Sequence, residues 1–599
     1  MDHNSSTLTT NETSPTQHAM VIVWGHFART IGVLAGLAQV PIDQKTVRRA
    51  PHEKLVEFLL GLLTGIEYLT DLSEGAAPLV KDAEVAAAWQ LNPLADASGV
   101  SRTLQACDEQ TVMMLESQLD AVGQPFLERA VGDLRQRHMS LVLDADLTGR
   151  PVSSTSQTFP GAAFGYMDGE VRLGYQLAEI CLHTALFGRQ WLSAQHHPGD
   201  MVSAPCLLAL VQAAEQRLGC HPRRRTELIQ PRIAACEQAM QAALAQTTGA
   251  NERVTRATAR LTRLTAQIQH VEVRIQTLRG QPASARQAGP YSQCNRLLKQ
   301  QAGWQAQLGR AQAQLAQATA VADRQRQRLL TEAETYQADR QRLQARYERF
   351  CVENAQQPDA PHCRIRLDAG FTTGANLTEL IELGYAIDTK AANPAVVQAL
   401  QKRVTAETHW TTVGKNAEMV SWPGYRIHDC PYPVLVGLER FHTSKSVLHA
   451  VLIRYRDAPH APDRDLTQWF HDYNGRQTIE AGNKEEKTTF KVQHLMSRSA
   501  AGIRIQALLT VFAANFVRWA DEWIRPRVEQ STRRFDGVLS SPKRLVRIAA
   551  NSPAIIDRRM GPERVRFSHL SSFDGVVIVL SAIVGRQLPL FANDHFSSA

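Results

Sequence analysis

The sequence predicts a mixed α/β protein, α+β in the way its elements segregate, with one long helical hairpin set into it. Three observations predict this. Short strand-like segments bounded by turn residues occupy two separated stretches, 139–220 and 363–457. Between them, apolar residues recur at alternating spacings of three and four, the a and d pattern of a coiled coil. Before and after them, apolar residues fall at helical spacing.

The chain has 599 residues, of which 44% are hydrophobic, and a formal net charge of +8. That length predicts three or more units, and that composition a folded chain and not a disordered one. The excess of positive charge favours a polyanionic partner such as nucleic acid. Nine cysteines are scattered without a C-x-x-C pair, which excludes a zinc-finger or redox signature and fits a reducing compartment. A cytoplasmic, nucleoid-associated protein is the expectation.

Residues 1–19 carry no Lys or Arg and are expected to form a disordered tail, not a signal-peptide n-region. Residues 20–135 read as a helical domain for DNA binding or dimerisation. The apolar run from Met20 to Val40 is about the length of a membrane span, but it contains His26 and Arg29, so a buried or amphipathic helix is expected and no membrane contact. Leu55 to Ile66 is helical, and Leu94 to Leu104 resembles a helix-turn-helix, with Gly99 near the turn; an ordinary helix hairpin fits it equally. In 136–221, M-S-L-V-L-D-A-D is a buried strand ending in acids, V-R-L-G-Y-Q-L-A-E-I and A-L-F-G-R-Q-W-L continue it as a meander, and a helix runs from about Ala204 to Leu218.

In 222–351, the seam Val254, Ala257, Leu261, Leu264, Ile268, Val271, Ile275, Leu278 stops at the turn-rich G-Q-P-A-S-A-R-Q-A-G-P. A second seam repeats every seven residues from Leu308 to Leu343. Together these predict an antiparallel coiled-coil hairpin with arms of about 50 residues, roughly 75 Å long. In 352–404, C-R-I-R-L-D is a strand, G-A-N-L-T-E-L-I-E-L-G a helix and Y-A-I-D-T-K-A a strand; 405–460 is β-rich, 461–520 helical, and 521–599 basic and turn-rich.

Three separated acids carry the chemistry. Asp144 and Asp146 in L-V-L-D-A-D-L-T lie two apart on a strand and so share a face. Two carboxylates there repel one another unless a cation or hydrogen bonds compensate. Asp368 in R-I-R-L-D-A-G-F ends a second strand. In Y-N-G-R-Q-T-I-E-A-G-N-K-E-E-K, helical geometry puts Tyr473, Arg476, Glu480 and Lys487 on one stripe, with Glu485 and Glu486 out of register.

The order strand-Asp, strand-Asp, helix-Glu, with the frame Tyr473-x-x-Arg476-x-x-x-Glu480 followed seven residues later by Lys487, resembles the bacterial insertion-sequence transposases of the DDE type, the subgroup marked by a Tyr-Arg-Glu-Lys signature. The resemblance spans roughly residues 45–520. The long coiled coil between the first two acids departs from it, since a compact connection is expected there.

The resemblance implies an RNase H-like core, with 405–460 as the β-rich insertion before the Glu helix. It implies that Asp146, Asp368 and Glu480 are catalytic and hold two Mg²⁺ or Mn²⁺ ions. Asp146 is preferred to Asp144 because D-x-T is the family-like form, although spacing alone does not separate them. Tyr473, Arg476 and Lys487 would contact DNA phosphates. The implied partners are double-stranded transposon ends and target DNA, with a homodimer in the synaptic complex. The expectations set beside this are a catalytically silent DNA-binding relative and a coiled-coil scaffold.

Overall fold

The computed structural model describes residues 13–44, 48–91, 93–249, 252–282, 292–456, 465–539, 541–559 and 562–580. The tail 1–12, most of the turn-rich break after Gly280 and the final stretch 581–599 lie outside the described residues.

In chain order the elements begin with β1 (Thr13–Thr16), α1 (Ala19–Thr30), α2 (Val33–Ala38), α3 (Pro51–Thr64), α4 (Ala83–Ala88), α5 (Ala97–Ala106) and α6 (Glu109–Gln136). A meander follows: β2 (Leu141–Pro151), β3 (Ala163–Met167), β4 (Glu170–Thr184) and β5 (Gly188–Pro198), closed by α7 (Ser203–Leu218). Then come α8 (Thr226–Gly249), α9 (Glu252–Arg279) and α10 (Gln293–Gln356). The chain returns to β6 (Cys363–Leu367), α11 (Gly374–Leu383), β7 (Ala386–Lys390) and α12 (Pro394–Gln401), and then to β8 (Thr411–Gly414), β9 (Ala417–Arg426), β10 (Pro433–His442) and β11 (Val447–Tyr455). Next are α13 (Leu466–Asn474), α14 (Gln477–Thr488) and α15 (Ala500–Ile524). The last elements are β12 (Val528–Gln530), α16 (Arg533–Leu539), α17 (Pro542–Ala549), β13 (Ala554–Asp557), β14 (Arg564–Phe567) and β15 (Val577–Val579).

The fold is mixed α+β, as the patterning predicts. The chain divides into two compact units, one of residues 1–223 with 359–599 and one of residues 224–358.

In the first unit a large sheet runs β3-β4-β2-β6-β7-β11-β10-β9-β8, with β5 on β4. β2, β6 and β7 are parallel neighbours, while β4 and β11 flank them antiparallel. Parallel neighbours need a crossover. α11 supplies it between β6 and β7; between β2 and β6 the chain passes through the meander, α7 and the whole of the second unit. The core beside this sheet is built around α15, buried on almost every side against α1, α3 and α6. α15 is long and apolar enough to cross a membrane, but most of it is buried inside this unit. The run from Met20 to Val40 is not one span: Gly32, at φ +79°, separates α1 from α2.

Three expectations change here. Gly99 marks no turn: it lies in the first turn of α5, where its amide donates to the N-cap carboxylate of Asp96 at 2.7 Å. Residues 13–16 of the expected tail form a strand, and the basic C-terminal stretch folds with it into a second sheet, β1-β13-β14-β15-β12. Finally, 466–488 is not one helix. Gly475 and Arg476 join α13 to α14 through short-range bonds, Arg476 N to Tyr473 O (3.0 Å) and Ile479 N to Arg476 O (2.9 Å). Tyr473 therefore stands on a different helix from Glu480 and Lys487.

The second unit is an antiparallel hairpin. α8 and α9 in succession lie along the 64-residue α10, about 96 Å long at 1.5 Å per residue. The direction is read from cross-contacts: Gln230 to Tyr347, Glu272 to Gln301. The buried seam includes Leu264, Ile268, Val271 and Ile275 on α9 and Ala311, Ala322, Leu329 and Leu343 on α10.

Candidate active site

The site lies at the middle of the large sheet because β2 and β6 are parallel neighbours. Their register pairs Ala145 with Leu367, so the next residue on each strand, Asp146 and Asp368, emerges side by side. Asp368 ends its strand by capping a short 3-10 turn, its Oδ1 accepting from Gly370 N at 3.2 Å.

The third acid arrives on α14. Gly482 lets this helix approach the sheet closely: a Cβ there would lie 2.5 Å from the guanidinium carbon of Arg189, whose Nη1 donates to Thr478 O. With the helix docked this way, Asn483 of α14 and Arg476 at its N-cap meet Asp146, and Arg476 links Glu480 to it. Arg476 donates Nη2 to Asp146 Oδ1 (2.9 Å) and Nη1 to Glu480 Oε1 (2.6 Å), and Asn483 donates Nδ2 to Asp146 Oδ2 (2.7 Å).

Burial pushes the Asp146 carboxyl up to about 6; Arg476 opposes this, while the negative charges of Asp368 and Glu480 add to it. The Arg476 guanidinium is raised: burial works against it, but Asp146, Tyr473, Asp368 and Glu480 outweigh that. Asp368 and Glu480 thus lie near enough to act on the Asp146 carboxyl, with a guanidinium between Asp146 and Glu480, but the three acids do not close into a ligand cluster here; among the described residues the group that does is Asp144, Cys181 and His183. Every donor atom that Asp146, Asp368 and Glu480 offer is an oxygen, the set that suits Mg²⁺ or Mn²⁺.

Asp144 shares the face of Asp146 but not its surroundings. It is fully buried, and Arg366 donates Nε to Oδ1 (2.6 Å) and Nη2 to Oδ2 (2.9 Å), with His183 also on Oδ2. Burial would raise its carboxyl, but His183 and Arg366 bring it below the ordinary value. With both oxygens engaged, Asp144 has a structural ion pair in place of a ligand's open lone pairs. Asp144, Cys181 and His183 cluster closely enough to frame a cation, but the Arg366 guanidinium already holds that charge.

The expected phosphate-contacting residues are placed differently from a displayed surface. Tyr473 is buried in a small apolar cluster with Trp469 and Met419, and Lys390 sits over its ring at 5.3 Å. Arg476 is 7% exposed and spent on the acids. Lys487 reaches Asp168 Oδ1 at 3.2 Å.

Of the two acids set out of register, Glu485 turns away from Asp146, while Glu486, three residues past Asn483, faces the sheet beside Glu179, the register partner of Asp146. Glu485 meets Arg518 at 2.7 Å; Glu486 is buried against Glu179 on β4. Burial, then each other's charge, lifts Glu179 well above its usual range, and burial lifts Glu486 to about 7. Their oxygens have no hydrogen-bond partner among the described residues, and the buried Arg150 guanidinium is the charge that opposes the rise at Glu179. Sequence spacing signals neither this pair nor Asn483, because both depend on which face of α14 meets the sheet. Compared with models of known protein families and with curated proteins, the chain matches none.

Proposed function

We propose that this chain is a DNA transposase of the DDE type with an RNase H-like core, acting on transposon-end duplexes by strand cleavage and strand transfer. The observation that carries the reading is the placement of Asp146 and Asp368 side by side at the ends of two adjacent parallel strands, with Glu480 tied to Asp146 through Arg476 at the helix that covers them. Like charges gathered beside one largely buried carboxylate, Asp146, are what a divalent cation relieves.

Asp146, Asp368 and Glu480 would hold two Mg²⁺ or Mn²⁺ ions, which when bound supply an activated water or 3′-hydroxyl and stabilise the leaving oxygen of an in-line displacement at phosphorus. Asn483 fixes the orientation of the Asp146 carboxylate. Arg476 ties Glu480 to Asp146 across α14, and its positive charge would sit beside the scissile phosphate. A homodimer pairing two ends, in the cytoplasm at the nucleoid, belongs to the same proposal.

A second reading, a DNA-binding relative without catalysis, is favoured by one observation: Arg476 already neutralises two of the three acids. A labelled duplex carrying the element's own end decides between them. Metal-dependent nicking is expected from the purified chain, with loss on the order of 10³-fold or more in Asp368→Ala while duplex binding persists, the several kcal/mol that metal ligation supplies. Activity surviving in the mutant refutes the site; binding without cleavage under Mg²⁺ or Mn²⁺ establishes the second reading.

A further inference from the structure

The positive charge of this protein is not spread over it. Residues 224–358, the coiled-coil unit, hold 20 Lys and Arg against 10 Asp and Glu; the chain totals are 66 and 58, which leaves 46 against 48 elsewhere. The hairpin thus carries +10 and the rest of the chain −2. Within it the bias sharpens: from Arg253 to Arg328 there are thirteen basic residues and two acids, Glu272 and Asp323.

The arginines are also ordered. On α9, Arg253, Arg256, Arg260, Arg263 and Arg274 each directly precede a seam residue, so they form one row beside the seam. On α10, Arg296, Arg310 and Arg324 repeat at two-heptad intervals, and Arg328 precedes Leu329. Arg260 Nη1 donates to Gln314 Oε1 at 3.3 Å, and Gln314 precedes the seam residue Leu315. The residues preceding the seam on one arm therefore face those preceding it on the other, and both rows border the same flank. All nine arginines are exposed. The residues between them on this flank are mostly Gln, with no acid; Glu272 and Asp323 fall at other heptad positions. Ion pairs within a helix, such as Arg256 with Glu252 and Arg328 with Glu332, leave those guanidiniums 75% and 81% exposed.

A solvated helical surface mixes both signs of charge, whereas this flank keeps one. We infer that it is a binding surface for the sugar-phosphate backbone of duplex DNA. The α9 row spans 21 residues, about 32 Å, close to the ~34 Å of one turn of B-form duplex. Arg and Gln side chains without aromatic neighbours contact phosphates and sugars, and hold no stacking platform for unpaired bases. Binding here adds affinity without sequence preference. The choice of duplex DNA over another polyanion rests on the proposed transposase reading; the surface itself does not.

The test is the salt dependence of binding to a random-sequence duplex, measured by fluorescence anisotropy on the full chain. Each phosphate contact contributes about 0.9 to the slope of log K against log salt. The variant R256Q/R260Q/R263Q/R274Q should lower that slope by about 2–4 and weaken binding roughly 10²–10³-fold near 0.1 M salt, equally for every duplex sequence. Its helical circular dichroism and melting should match wild type, since none of these side chains lies in the seam. K299Q/R326Q removes two charges off the flank and should move the slope less than R260Q/R263Q does. An unchanged slope in the fourfold variant overturns the inference, as does an equal effect of the two double variants. Because the readout is binding alone, a slope that falls in a chain that never cleaves DNA retains this surface and discards the transposase reading.

Discussion

At the scale of single residues, Asp144 and Asp146 show how two identical side chains on one strand face acquire different chemistry. Arg366, the register partner of Asp144 on β6, neutralises Asp144 within the sheet. Two residues further along, the neighbour of Asp146 is Asp368, another acid, and the cation that reaches Asp146 is Arg476, at the start of α14. The D-A-D spacing was legible in the sequence; the partner that separates the two was not, because it comes from a strand 222 residues away. Asn483 is the residue that tests this description. Removing its amide in Asn483→Ala frees the Asp146 carboxylate to rotate, and the Mg²⁺ concentration needed for half-maximal nicking should rise roughly tenfold, as for other groups that orient a ligand. A Mg²⁺ titration that matches wild type would make Asn483 a packing residue only.

At the scale of elements, the strands and helices with strong periodicity were legible: the D-A-D strand, the L-I-E-L-G helix, both seams of the hairpin. The elements that were missed share a physical cause. β1, β12, β13, β14 and β15 are three or four residues long, too short for a period to show, and β1 and β12 find their partners far away in the sequence. The break at Gly475 was missed for a related reason: Gly475 is needed because Arg366 packs there, a Cβ falling 2.2 Å from its Nη1. The docking of α15 on β5 makes a prediction at this scale. Asn515 accepts from Trp191 N and donates to Trp191 O, both at 2.9 Å and buried. Asn515→Ala strands a buried amide and a carbonyl together and should cost about 2–4 kcal/mol in a denaturant titration, against near zero for an exposed Asn→Ala control.

At the scale of the whole molecule, the buried Glu179–Glu486 pair couples the fold to pH. A carboxyl raised in the folded state contributes stability that is complete below its unfolded value, 4.5 for Glu, and is lost as pH rises through the folded value, about 7 for Glu486. Thermal stability should therefore fall by a few degrees between about pH 5 and pH 8. Glu486→Gln supplies a permanent donor to Glu179 and should flatten that slope; a wild-type slope in the variant would place the titration elsewhere. A different consequence follows from the second sheet. Its first strand, Thr13–Thr16, is made before its partner, Ala554–Asp557, with the paired Thr13 and Asp557 544 residues apart. At about 5–20 residues per second the nascent strand waits roughly half a minute to two minutes with an open edge. The hairpin, closed by contacts within residues 224–358, can form on the ribosome long before that. Assembly is thus ordered by time of synthesis, and a ribosome that stalls after the hairpin has emerged but before Ala554 leaves a chain whose hairpin can be folded while its first strand still lacks its partner.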